Sequence, residues 1–68
     1  MHHPLEERTV ELHSGTRAAV ATLHRFDSGW TVDVVAEDGQ PDRTDSDATY
    51  ADLSAATKAA EKVWLTSP

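Results

Sequence analysis

Apolar and polar positions alternate on either side of Asp27-Ser28-Gly29, in Val20-Ala-Thr-Leu-His-Arg-Phe26 and in Trp30-Thr-Val-Asp-Val-Val-Ala36. Alternation with period two is the signature of strands, and a short loop ending in Gly joins strands into a hairpin. Taken as a three-residue loop with Gly29 in the left-handed region, Asp27–Gly29 sets Phe26 opposite Trp30, His24 opposite Val32, Thr22 opposite Val34 and Val20 opposite Ala36. These eight residues then share one face. Upstream, Arg8–His13 alternates as well, with Val10 and Leu12 apolar, and Ser14-Gly15-Thr16 reads as a second three-residue turn placing Leu12 opposite Ala18 and Val10 opposite Val20.

Downstream the period changes. Leu53, Ala56, Ala60, Val63 and Trp64 recur at helical spacing, which predicts an amphipathic helix within Thr49–Leu65 with Asp52 as N-cap, or Thr49 or Asp47 if the helix begins earlier. The expected fold is α+β, a three-stranded antiparallel meander with one C-terminal helix on one face. Its core is Val20, Phe26, Trp30, Val32 and Val34 against Leu53, Ala56, Ala60 and Val63. Residues 1–68 form one domain, with 1–7 a flexible N-terminus and 37–48 an acidic loop rich in Gly, Pro, Ser and Asp.

Charge adds a second feature. Of the net charge of −6, residues 27–52 carry −7, with eight acids against Arg43 alone. Such a balance argues against general nucleic-acid binding, which needs clustered cations. The acids invite a calcium reading, but an EF-hand loop needs a central Gly and a Glu at its twelfth position. Counted from Asp38 or Asp45, that position is Thr49 or Ala56. Glu37, Asp38, Asp42, Asp45 and Asp47 are therefore expected to be solvated and, at most, to dock a basic partner. The His2-His3 pair lacks further ligands nearby, so no metal is expected. Without cysteine, a membrane-length apolar run or a signal peptide, the chain is expected in the cytoplasm, away from membranes.

No nucleophile elbow, phosphate-cradling glycine loop or dinucleotide fingerprint is present, so neither catalysis nor a cofactor is expected. His24 reads as a half-buried residue beside Glu6, and Ser14 and Ser28 as turn formers. The odd positions of the hairpin point away from the expected core. Ala19, Ala21, Leu23 and Val35 would make a flat apolar centre, with Arg17, Arg25 and Asp33 among the charged residues of its rim, the layout of a partner or dimer interface. The function read from this is a small protein-binding or regulatory module. Its composition, rich in Ala, Asp, Thr, Arg and Val, fits a phage of a GC-rich host.

Three strands followed by a helix ending Val63-Trp64-Leu65 resemble the arm-type DNA-binding domains of tyrosine integrases in layout. That resemblance implies a sheet face in the major groove, with His13, Arg17, Arg25 and Thr31 against DNA. The acidic Glu11 and Asp33 on that face depart from the pattern. A third reading is an acidic mimic that uses Glu37–Asp52 to occupy a basic site on a DNA-binding protein.

Overall fold

The fold was obtained as a computed structural model and is described for residues 3–66, leaving aside the side chains of Ser46 and Asp47. His2 of the histidine pair lies outside the described residues. Four strands run in chain order: β1 (Glu6–Ser14), β2 (Arg17–Phe26), β3 (Gly29–Ala36) and β4 (Arg43–Tyr50). They form one antiparallel sheet in the order β1-β2-β3-β4. Helix α1 (Leu53–Thr66) packs on one face, mainly over β3 and β4 and reaching β2. The α+β class and the C-terminal helix are as the sequence implies.

Both hairpin loops are one residue shorter than expected. Ser14 pairs with Arg17 and Phe26 with Gly29, leaving the two-residue loops Gly15-Thr16 and Asp27-Ser28. Gly15, with φ +62°, stands at the first central position, as type II′ turns require. A one-residue slip turns a whole strand over, and β2 is the strand that turns. Its odd residues Ala19, Ala21 and Leu23 face α1 and are buried, while Val20 is 45% exposed.

β1 keeps its expected parity, with Leu12 buried opposite Ala19 and Val10 partly buried opposite Ala21. β3 starts as expected, with Trp30 and Val32 buried. The register then shifts. Leu23 pairs with Val32 but Thr22 pairs with Val34, so Asp33 is an extra residue and Val35 takes the inward place assigned to Val34. The expected core is corrected accordingly: Val20, Val34 and Phe26 belong to the opposite face.

The fourth strand is the second correction. Residues 43–50 were expected to belong to the acidic loop or to the helix, yet they pair with β3 through an irregular register that joins Trp30 to Tyr50, Val32 to Asp45 and Val35 to Arg43. Thr44, Thr49 and Tyr50 suit a pleated edge, and the Tyr50 hydroxyl donates to Asp45 Oδ2 at 2.9 Å. That bond and burial raise the Tyr50 pKa. A Cβ on Gly29 (φ +130°) would stand 2.5 Å from the Tyr50 carbonyl oxygen, so the second hairpin and the end of β4 fit only around a glycine.

α1 begins where the sequence places it. The Ala55 N–H donates to Asp52 Oδ1 at 2.8 Å, an N-cap worth roughly 0.5–2 kcal/mol. Ala56, Ala60 and Trp64 are its buried residues. The two alanines bring the helix close to the sheet, and the indole supplies the bulk. Nor is the N-terminal segment free over its whole expected length: β1 starts at Glu6, and the Leu5 N–H donates to the Arg25 carbonyl at 2.7 Å.

Candidate interaction surface

The sheet has one face under α1 and one face open. On the open face lie Glu7, Thr9, Glu11 and His13 from β1, Ala18, Val20, Thr22, His24 and Phe26 from β2, and Thr31, Val34 and Ala36 from β3. Ala18, Val20 and Ala36 are exposed; Thr22, Phe26 and Val34 are half-buried. An apolar strip therefore crosses the middle of the sheet, and acids flank it.

His24 organises one end of this face. Its Nε2 lies 2.9 Å from Glu7 Oε2, its Nδ1 lies 4.0 Å from Asp33 Oδ1, and its ring meets Phe26 edge-on at 6.2 Å. The carboxylate beside it is thus Glu7 rather than Glu6. At the other end His13 Nε2 is 3.3 Å from Glu11 Oε2. A shallow hollow of about 210 Å³ lies between Glu11, Ala18, Val20, Ala36 and Asp38. It is smaller than the roughly 300–1,000 Å³ of small-molecule sites, so it suits a protruding side chain better than an enclosed substrate.

Most of the residues assigned to a partner surface lie elsewhere. Ala19, Ala21, Leu23 and Val35 are core residues under α1 and cannot form an outer surface. Arg25 is on the helix side of the sheet, where its Nε donates to Glu6 Oε1 at 3.2 Å. Glu6 also accepts from Arg8, and that bond is the largest cause of its lowered pKa, helped by Arg25 and opposed by burial. Asp33 alone of the set borders the open face, because the bulge turns it away from the core.

The acidic residues divide as well. Glu37 is the centre of a cluster that no local motif announces. Arg17 holds it with a fork, Nε to Oε2 at 3.0 Å and Nη2 to Oε1 at 2.7 Å. The Trp64 indole N–H donates to Oε1 at 2.9 Å, and the Arg17 guanidinium lies 5.0 Å from the centre of the Trp64 ring. Arg17 and Trp64 together hold the Glu37 carboxyl down at about 2, against the opposing effect of burial. A turn closed by the Gln40 N–H on the Glu37 carbonyl (3.1 Å) follows immediately. Asp38 and Asp42 are exposed or nearly so, Asp45 is taken by Tyr50, and Asp47 lies on β4.

Among the described residues no group of three His, Cys, Asp or Glu is placed to hold a metal ion, and no helix is long and apolar enough to cross a membrane. Comparison with protein-family models, with curated proteins and with solved structures finds no match.

Proposed function

We propose that this chain is a small, non-enzymatic protein-binding module that docks a partner on the open face of its sheet. The observation that carries the proposal is an apolar strip, with Val20 45% exposed at its centre, bordered by Glu7, Glu11, Asp33 and Asp38. An apolar centre within a charged border is how protein interfaces are built. The border is acidic, so the fitting partner is a segment with apolar side chains flanked by Lys or Arg. The duplex-DNA reading loses its cations here, since Arg17 and Arg25 sit on the helix side, paired with Glu37 and Glu6.

Val20→Arg tests the proposal. It puts a cation into the centre of the strip at a position exposed enough to leave the fold intact. Affinity capture from the native host, quantified by mass spectrometry, should enrich a basic partner with the wild type and lose it with the variant, circular dichroism being unchanged. Retention of every partner by folded Val20→Arg, or salt-sensitive binding of the wild type to duplex DNA, overturns the proposal.

A further inference from the structure

The two edges of the sheet are protected very differently. β4 meets β3 in a register broken twice and lies under α1. β1 runs nine residues in uninterrupted register with β2, has no neighbour on its other side among the described residues, and contains neither Pro nor Gly. Every second residue of an edge strand turns its N–H and C=O away from the sheet, and a long regular edge of this kind is a template for another strand.

We propose that β1 is a dimer edge, on which two copies pair their β1 strands antiparallel about a two-fold axis at Val10. The two four-stranded sheets then become one of eight strands, with both helices on the same side. The sequence of β1 selects this register. Centred on Val10, all nine residues have partners: Glu7 stands opposite His13 of the second copy, Thr9 opposite Glu11, Arg8 opposite Leu12 and Glu6 opposite Ser14. No like charges stand directly opposite one another. Axes at Glu7, Arg8 or Glu11 would put that charge against its own copy, and an axis at Thr9 would set Glu7 against Glu11 twice. An axis at Leu12 would leave only residues 10–14 of the strand paired. Like charges directly opposite are destabilising in antiparallel pairs, whereas the Glu7–His13 contacts, made twice by symmetry, are complementary. A chain this small also gains from association, because its own core is limited.

The pairing is made by the backbone of the edge and is read from oligomeric state, so it stands or falls independently of the partner proposed above even though Glu7 and His13 also lie at the rim of the open face. Sedimentation equilibrium of the wild type should give twice the 7.4 kDa chain mass. His13→Glu, at a side chain 65% exposed, sets carboxylates against Glu7 at both ends of the pairing. It should weaken the dimer about tenfold or more in dissociation constant. Adding Glu7→Lys to the same chain sets a cation opposite each new carboxylate and should restore the dimer. Because the chain has no cysteine, Val10→Cys introduces the sole thiol, and oxidation should trap a covalent dimer, while Lys58→Cys on α1 should not. A monomeric wild type overturns the proposal, as does a dimer indifferent to His13→Glu or one that Val10→Cys fails to trap.

Discussion

Replacing Leu23 and Val20 by alanine, one at a time, tests the register of the whole sheet. The two residues lie on the same strand, three apart, and the two possible loop lengths assign them opposite faces. In the structure Leu23 is fully buried, 0% exposed, between the paired Val32 and the helix side of the sheet. Leu23→Ala removes its apolar burial and leaves a cavity, a combination that costs about 2–5 kcal/mol. Val20, 45% exposed, has little burial to lose, and its change to alanine should cost below about 1 kcal/mol, chiefly through strand propensity. At roughly 0.05–0.15 kcal/mol per residue, a 68-residue domain has a total stability of only about 3–10 kcal/mol. Leu23→Ala should therefore remove a large share of it, and Leu23→Glu, harmless if the loops held three residues, should unfold the chain. Urea denaturation followed by tryptophan fluorescence is a suitable assay, since Trp30 and Trp64 are both buried. Protein concentration must be held constant so that association does not enter the comparison. A Val20→Ala variant that loses more stability than Leu23→Ala would refute the two-residue loops and return β2 to the opposite orientation.

Two further outcomes follow from particular contacts. Gly29→Ala should cost about 1–3 kcal/mol, because it combines a positive φ with a clash against the Tyr50 carbonyl, and an unchanged urea midpoint would contradict that fit. Glu37 titrates near 2 when folded and at about 4.5 when unfolded. Its stabilising contribution is therefore complete above about pH 4.5 and drains away as the pH falls toward 2. Glu6 is shifted in the same direction. Thermal melts across this window should show the wild type losing stability with acid and Glu37→Gln losing distinctly less; equal slopes would mean that Arg17 and Trp64 do not hold the carboxylate.

What could be read directly from the chain is what depends on local periodicity. The inward set of β1, the start of β3, the helix stripe ending in Trp64 and the Asp52 cap all follow from spacing within one element. The register of β2 does not, because it depends on whether Gly29 belongs to the loop or to the strand, and one residue decides the face. β4 was hidden for a different reason. An edge strand made of Arg, Thr, Asp, Ser, Ala and Tyr has no apolar alternation to betray it, and its pairing with β3 is visible only once Trp30 and Tyr50 are side by side. The Glu37 cluster draws on positions 17, 37 and 64, which no window along the sequence spans. Of the open face, Thr9, Glu11, His13, Thr31 and Asp33 were legible as outward residues; the slip of β2 and the bulge of β3 brought Val20, Thr22, His24, Phe26 and Val34 there from the face expected to be the core.

The extra residue in β3 has a consequence for insertions and deletions. Without Asp33, Trp30-Thr31-Val32-Val34-Val35 would alternate perfectly and bury the same three side chains, Trp30, Val32 and Val35. Counted by burial alone, the strand carries one residue more than it needs. A bulge adds local right-handed twist where it is inserted, so what Asp33 supplies is shape. It lets β3 turn between its partnership with β2 and its partnership with β4 while the inward set stays constant. A deletion at this position should spare the core and straighten the sheet; deleting Val34 would also keep the inward set but put Asp33 in its place on the open face, whereas deleting Thr31 would make Trp30 and Val32 adjacent and set them on opposite faces.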